Sequence, residues 1–221
     1  TLLEAQNLIE KHIQNLSLPD TPPELYEPVE YILSLGGKRI RPALVILSCD
    51  LFAGAVESAL IPALAIEVFH NFTLVHDDIM DRSEIRRGQS TVHKKYNENV
   101  AILSGDVMSI LASRLMNQAP GVVLNQVHDV FTRTAMEVCE GQQMDMNFEE
   151  QLTVTGEEYM RMIELKTAVL IAASVLGNWF LAEFKRARSA RAPWYKPYLS
   201  APGALILLAI LLPVFYWFFS R

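Results

Sequence analysis

The chain has 221 residues, 51% of them hydrophobic, so it is long enough for a domain with a substantial core and too apolar to be disordered. All 25 acidic residues lie at or before Glu183, against 13 lysines and arginines up to Phe184. This body has a net charge of −12, which argues against a nucleic-acid partner. Cys49 and Cys139 lack metal-ligand spacing and are predicted to be reduced core residues of a cytosolic domain.

The first 35 residues predict two helices separated by prolines. Apolar residues recur at helical spacing over residues 1–16, and the charges among them do not fit a secretory signal peptide. Pro19, Pro22 and Pro23 end this pattern. A second helix is predicted over residues 24–35, and Gly36-Gly37 ends it.

Three basic residues follow the two glycines directly. Lys38, Arg39 and Arg41 stand out in an acidic body, and glycine lets the backbone approach a ligand closely. Lys38 as a point charge and Arg41 as a planar fork could together hold a phosphate. A surface loop with solvated charges explains the same residues equally well. After Pro42 an apolar helix is predicted to about Phe52.

Three carboxylates lie at the end of the longest apolar stretch. A helix over residues 58–81 places Asp77 and Asp81 one turn apart on the same face, with Asp78 nearby. These residues alone would fit a solvated acidic helix end. Because the preceding stretch is almost wholly apolar, the helix is expected to be buried and to end at the floor of a cavity. Such close carboxylates repel one another unless a cation lies between them, and Mg²⁺ suits both carboxylate and phosphate oxygens.

The remainder of the body predicts more helices and no strand. They cover a short segment near residues 90–93 and the ranges 101–116, 122–147 and 157–184. Gln142 and Asp145 share one face of the third of these. Lys166 is a lone lysine in an apolar stretch, and it is either a snorkelling surface residue or an anion ligand. The body is therefore predicted to be all-α.

The composition changes abruptly near residues 178–185, which suggests a join between two segments. Residues 181–199 form a basic linker without acids after Glu183, and residues 200–219 carry no charge. At about 1.5 Å per residue this stretch spans roughly 30 Å, the thickness of a bilayer's hydrocarbon core. The positive side predicts a single-pass membrane protein whose N-terminal body is cytoplasmic. A buried C-terminal helix is the alternative.

Taken together, the motifs resemble those of the trans-isoprenyl diphosphate (polyprenyl) synthase family. They occur in the family's order over about residues 1–180, and although each motif is weak alone, the ordered set is specific. The motifs are Gly36-Gly37-Lys38-Arg39-Ile40-Arg41-Pro42, His70, Asp77-Asp78-Ile79-Met80-Asp81, Arg86-Arg87-Gly88, Gly141-Gln142 with Asp145, and Lys166-Thr167. The resemblance implies an isoprenoid-synthase-like antiparallel helical bundle around a deep cavity, as a homodimer or hetero-oligomer.

The resemblance also implies an activity, the Mg²⁺-dependent condensation of an allylic diphosphate with isopentenyl diphosphate. The residues implied to carry Mg²⁺ are Asp77, Asp78 and Asp81. Arg86 would bind the allylic diphosphate, and isopentenyl diphosphate would be held by Lys38, Arg41, His70 and Arg87. Lys166 and Thr167 would steady the leaving group, with Gln142 as a further substrate-binding residue. Phe72 and Thr73 would limit the product to a length such as farnesyl or geranylgeranyl diphosphate.

One part of the family's pattern is absent from this sequence. The second aspartate-rich motif does not occur, since no acid follows Glu183. The bundle is therefore expected to be incomplete and its activity impaired in this chain alone. The alternative is a non-catalytic synthase-like subunit that scaffolds or regulates a membrane complex.

Overall fold

A computed structural model of the chain describes residues 1–51, 56–119, 121 and 124–168. Its contacts divide the chain into two compact units, Thr1–His128 and Asp129–Arg221. The predicted domain limits at residues 180 and 199, the basic linker and the apolar C-terminal stretch all lie outside the described residues.

The first unit is built from helices joined by short connections. The helices are α1 Leu2–Gln14, α2 Pro23–Ser34, α3 Ile40–Leu51, α4 Val56–Met80, α5 Val92–Lys95 and α6 Glu98–Met116, followed by the start of α7 Leu124–Glu150. Local sequence explains several ends. Asn97 caps α6 by accepting a hydrogen bond from the Val100 N–H at 2.9 Å, and Pro23 occupies the first turn of α2, where no N–H donor is needed.

Helix α4 forms the centre of the first unit. It packs mainly against α6 and α3, with further contacts to α1, α2 and α5. Apolar residues surround much of its circumference, so Ala63, Ile66 and Val68 are almost fully buried, as the sequence predicted. The helix carries the three carboxylates at its C-terminal end, and this end is therefore anchored by the best-packed element of the unit.

Close packing of α4 on α6 depends on a glycine. A Cβ atom at Gly105 of α6 would lie 2.3 Å from Nε2 of His76 on α4, which is far inside van der Waals contact. The same ring nitrogen lies 3.2 Å from the carbonyl oxygen of Ile102. Gly105 thus lets the side chain just before the carboxylates lie against the backbone of α6.

The prediction that the body lacks strands is wrong in one small segment. A two-stranded antiparallel hairpin, β1 Ile85–Arg86 and β2 Gln89–Ser90, follows α4. Its turn residues Arg87 and Gly88 have φ values of 52° and 78°, as a tight hairpin turn requires. Strands of two residues are too short to show an alternating pattern in the sequence.

In the second unit, the described part of the predicted 157–184 helix is not a regular α-helix throughout. Helix α8 covers Gly156–Ile163 and begins with a capping box between Thr155 and Glu158. Residues Glu164–Ala168 continue it as a π-helical segment. The rest of the predicted helix lies outside the described residues.

The two cysteines differ in burial. Cys49 is buried as predicted, but the prediction of a core position for Cys139 is wrong, because this residue is exposed on α7. Among the described residues, α4 and α6 are long and apolar enough to cross a membrane. In α4, however, 61% of the apolar window is buried inside the fold. Core helices commonly share that length and composition.

Candidate functional site

The turn between α2 and α3 has an unusual backbone. Gly36, Gly37 and Arg39 have φ values of 75°, 150° and 44°. The first two conformations suit glycine, whereas Arg39 adopts a left-handed conformation that residues with a Cβ rarely take. A Cβ at Gly37 would lie only 3.0 Å from the Arg87 guanidinium, so this glycine permits close approach to an arginine side chain.

This turn forms one wall of a cavity of about 550 Å³ in the first unit. The other lining residues come from the C-terminal end of α2, the start of α3, α4 and the hairpin. The complete set is Leu35, Gly37, Lys38, Arg39, Ile40, Arg41, Glu67, His70 and Arg87. All four residues implied to bind isopentenyl diphosphate therefore line one cavity. Its lining holds four lysines or arginines and a single carboxylate.

His70 contributes to this cavity as a neutral side chain. Burial, followed by the nearby charges of Arg41 and Arg87, lowers the pKa of His70 from 6.5 to about 3. Its Nε2 lies 3.1 Å from Nη1 of Arg41. Because a guanidinium can only donate, Nε2 accepts this hydrogen bond and Nδ1 carries the ring proton. His70 therefore orients Arg41 without adding a positive charge.

The three carboxylates at the end of α4 lie in different environments. Asp81 is exposed and Asp77 is half-buried, whereas Asp78 is only 1% exposed. The Asp81 N–H donates to the Asp77 carbonyl at 2.8 Å, so the helical spacing that places these two on one face is present. Asp78 instead accepts two hydrogen bonds of 2.7 Å from Nε and Nη2 of Arg86 in the hairpin.

The resemblance implied that Asp78 binds Mg²⁺ and that Arg86 binds the allylic diphosphate, whereas in the structure these two side chains bind each other. The bidentate bond raises the pKa of Arg86 and compensates the buried carboxylate without a metal. Within the described ranges, no three His, Cys, Asp or Glu side chains are grouped so as to hold a metal ion. Asp77 and Asp81 have the oxygen ligands that Mg²⁺ prefers, and a Mg²⁺ held by few carboxylates completes its shell with water and phosphate. The carboxylate groups of Asp77 and Asp81 are therefore suitable ligands for Mg²⁺.

A buried polar network, which includes the lining residues Arg39 and Glu67, was not foreseen from the sequence. Arg39 is 4% exposed, and its guanidinium donates to Glu10 Oε2 at 3.0 Å, Glu67 Oε1 at 2.6 Å and the Leu33 carbonyl at 2.7 Å. Asn71, which is fully buried, donates to the Glu67 carboxylate at 3.1 Å. A sequence signal existed, because Glu67 and Asn71 are polar residues four apart in an apolar helix and must find partners when buried.

The residues implied to steady the leaving group belong to the second unit. Lys166 bonds Asp145 at 2.5 Å and is about one-quarter exposed. This part-exposed ion pair leaves both sequence interpretations of Lys166 open, because an anion could share or replace the Asp145 carboxylate. Gln142 is buried, and a Cβ at Gly141 would lie 2.8 Å from Leu165, so α7 and the π-helical segment pack closely here. Thr167 lies in the same π-helical segment, a distortion that often marks functional sites.

The residues implied to limit product length lie on α4. The Phe72 ring contacts Phe69 and His76, with centroid separations of 5.3 and 4.8 Å. Thr73 donates its hydroxyl hydrogen to the His70 carbonyl at 2.8 Å. Both side chains are partly exposed, and aromatic neighbours on the same helix hold Phe72 in place.

Comparison with known proteins gives this geometry its context. Residues 22–200 match the polyprenyl synthetase family. The chain belongs to that family. It is 46% identical over 156 residues to a geranylgeranyl diphosphate synthase of Sulfolobus acidocaldarius, covering 69% of this chain and 47% of that protein. A synthase of the same name from Methanosarcina mazei is also 46% identical over 160 residues, covering 71% of this chain and 49% of that protein.

The fold agrees with this family. The solved geranylgeranyl pyrophosphate synthetase of Geoglobus acetivorans matches with a TM-score of 0.76 and 38% identity, covering 79% of this chain and 58% of that one. The prediction of a mostly helical, isoprenoid-synthase-like fold is therefore confirmed. The chain spans about half the length of the curated relatives it matches.

Proposed function

We propose that this chain carries the diphosphate-binding half of a geranylgeranyl-type polyprenyl diphosphate synthase. The observation that supports this most directly is the cavity in which Lys38, Arg41, His70 and Arg87 meet. The lining holds more lysines and arginines than carboxylates, whereas the chain as a whole has a negative net charge. The excess of positive charge is therefore local to this cavity. A diphosphate is the part of a prenyl substrate that such a lining suits.

The electrostatics of the cavity favour an anion. Partial loss of solvation is the largest cause that lowers the pKa of both Arg41, which is partly buried, and Arg87, which remains exposed. An incoming diphosphate would supply that missing stabilisation. Arg41 and Arg87 can bind phosphate oxygens through two donors each, and Lys38 adds a mobile point charge. The neutral imidazole of His70 keeps the Arg41 fork oriented.

For the allylic substrate we propose the end of α4 and the hairpin. Asp77 and Asp81 would hold Mg²⁺, and the implied role of Asp78 would require it to share or exchange its bond to Arg86. When bound, Mg²⁺ would neutralise the diphosphate and favour its departure. Arg86 would contact the same diphosphate, and Lys166, Thr167 and Gln142 keep their implied roles in the second unit.

The proposed reaction breaks the C–O bond between the allylic group and its diphosphate, which leaves with the electron pair. The double bond of isopentenyl diphosphate then attacks the allylic cation, and the new C–C bond forms as a proton is lost. The chain's own residues stabilise the negative charge of both diphosphates, the main requirement of such a reaction. Phe72 and Thr73 would end the growing chain, and the geranylgeranyl relatives favour a product of that length.

A titration of the full chain with isopentenyl diphosphate tests the cavity. We expect Lys38→Ala and Arg87→Ala to weaken binding by about ten-fold or more, the loss for one charge-assisted contact of about 1.4 kcal/mol. Lys11→Ala removes a similar charge from an exposed position on α1 and serves as the matched control. Equal binding by all four proteins would rule out this cavity as the diphosphate site.

Catalysis is tested by a Mg²⁺-dependent condensation assay with dimethylallyl or farnesyl diphosphate as the allylic substrate. We propose that turnover by these 221 residues alone is impaired, because only the first aspartate-rich motif occurs among them. Turnover that disappears in Asp77→Ala would support the enzyme. No turnover, even with a full-length family member supplied as the second chain, would favour the alternative of a non-catalytic subunit in a membrane complex.

We also propose that the chain assembles with a second copy or a related chain. Helix α6 exposes Leu103 at 58% and Ile110 at 67%, two turns apart on one face. Exposed large apolar residues that share one helix face favour an association surface. A dimer through α6 would bury them.

A further inference from the structure

Residues 36–41 carry Lys38 on the turn and Arg41 at the start of α3, and Arg39 ties this segment to the body of the first unit. Arg39 reaches three elements at once, through Glu10 on α1, the Leu33 carbonyl on α2 and Glu67 on α4. Nε, Nη1 and Nη2 each bond one of these partners, so the protein itself uses three of the five N–H donors of this guanidinium. The Arg39 side chain therefore links residues 36–41 to α1, α2 and α4 by hydrogen bonds.

The backbone conformation of Arg39 depends on this anchorage. A left-handed φ of 44° at a residue with a Cβ persists only when the surroundings enforce it. The preceding residue is tied as well, because Gln6 donates from Nε2 to the Lys38 carbonyl at 2.5 Å. On the cavity side, Arg87 donates to the Gly36 carbonyl. The turn is thus held from behind by Arg39 and from the front by Arg87.

The charges around Arg39 fit a geometric role better than a binding role. Two carboxylates face one guanidinium, and Asn71 fixes the Glu67 carboxylate from a fully buried position. Buried ion pairs add little net stability compared with apolar packing, and in some proteins they instead select one geometry. A planar fork with three partners can do this, whereas a lysine at the same position could bond only part of the set.

We propose that Arg39 is a positioning residue for diphosphate binding, which acts through Lys38 and Arg41 by fixing the backbone of residues 36–41. The proposal rests on the proposed function of the cavity. Glu10 and Glu67 contribute to this positioning, because their carboxylates hold the Arg39 guanidinium. Without the anchor, the turn samples other conformations and the two flanking cations no longer converge on one anion.

The first test is titration of the full chain with inorganic pyrophosphate. Arg39→Gly removes the anchor but still allows the left-handed backbone, and Arg39→Lys keeps the charge but loses the fork. We expect both to weaken pyrophosphate binding by about ten-fold. Glu10→Gln, which loses one charged partner at a half-exposed site, should weaken binding less, and Lys11→Ala on the same helix should not change it. Binding by folded Arg39→Gly and Arg39→Lys within about two-fold of the wild type overturns the proposal.

The second test needs no ligand. Hydrogen–deuterium exchange of the peptide covering residues 36–41 should become faster in Arg39→Gly and stay unchanged in Lys38→Ala, which removes a proposed ligand but no anchor. If Arg39 only stabilised the fold, exchange in Arg39→Gly would become faster throughout the first unit and the pyrophosphate affinity would not change. That result would contradict the proposed positioning role. If Arg39→Gly does not fold, Glu10→Gln must still show a locally faster exchange and weaker binding, or the proposal is wrong.

The two tests separate this proposal from the proposed function. If the wild type and Lys38→Ala fail alike to bind pyrophosphate, the function assigned to the cavity is wrong and Arg39 sets no diphosphate affinity. Exchange at residues 36–41 then still decides whether Arg39 holds the turn. If Lys38→Ala loses binding while Arg39→Gly retains it, the cavity stands and only the positioning role fails.

Discussion

At the scale of single residues, several charges of this chain are neutralised by internal partners. Asp78 is the clearest case, because its buried carboxylate depends on two hydrogen bonds from Arg86. Arg86→Met would leave that carboxylate buried and unpaired. We expect a loss of about 3 kcal/mol in the free energy of unfolding, measured by urea denaturation followed by circular dichroism.

The matched control for this change is Arg114→Met, which removes an exposed charge from α6. In the double variant Asp78→Asn with Arg86→Met no charge is left buried, so part of the stability should return. If Arg86→Met is no less stable than Arg114→Met, the pair does not stabilise the fold.

His70 gives a prediction for pH dependence. Its pKa is lowered to about 3 in the folded chain, first by burial and then by the arginines around it. The unfolded chain binds a proton at about pH 6.5, so it holds one proton more than the folded chain between these values. Stability should therefore fall as the pH drops below about 6.5, by up to about 1.4 kcal/mol per pH unit from this residue.

Denaturation curves of His70→Gln between about pH 4 and 6 check this. The variant should lose stability with falling pH less steeply than the wild type, because it has no proton to bind at this position. His12→Gln on α1 controls for the removal of a histidine elsewhere. Parallel curves for the wild type and His70→Gln would contradict the buried neutral imidazole.

At the scale of helices, the contact of α4 with α6 determines where the carboxylates lie. Gly105→Ala would place a Cβ 2.3 Å from His76 Nε2, so the ring or one helix must move. We expect a loss of about 1–3 kcal/mol in the free energy of unfolding, the usual effect of overpacking. Gly156→Ala, where a Cβ would meet nothing within 4 Å, is the control and should be neutral or slightly stabilising. If Gly105→Ala and Gly156→Ala change the free energy of unfolding equally, α6 can move to accept a Cβ at residue 105 without loss of stability.

The helices themselves could be predicted from the sequence, but the pairing of their side chains could not. Apolar spacing and glycine or proline stops fixed the elements because these are local signals. The convergence of Lys38, His70 and Arg87 came from the family resemblance. By contrast, Arg39 binds Glu67 and Lys166 binds Asp145 across 28 and 21 residues, and only tertiary packing decides such partners.

At the scale of the whole molecule, the exposed face of α6 predicts an assembly. Ile110→Glu places a charge on this face, and burying it in an interface would be costly. We expect this variant to shift the chain to a lower mass in light scattering after size-exclusion chromatography. Leu152→Glu, at a fully exposed site outside the helices, controls for added charge. Unchanged mass in Ile110→Glu would exclude α6 as the interface.

The uncharged stretch at residues 200–219 predicts that the whole chain is held on a membrane with its body in the cytoplasm. A chain ending at Phe184 lacks this stretch and the basic residues before it, so it should remain in the supernatant after ultracentrifugation of lysed cells, whereas the full chain should sediment with membranes. Ile206→Arg with Ile210→Arg keeps the length but adds two charges, each opposing insertion by about 2.5–3.5 kcal/mol. This variant should also leave the membrane fraction. If the full chain stays in the supernatant without detergent, the stretch belongs to the protein core, and an anchor is not the reason for its composition.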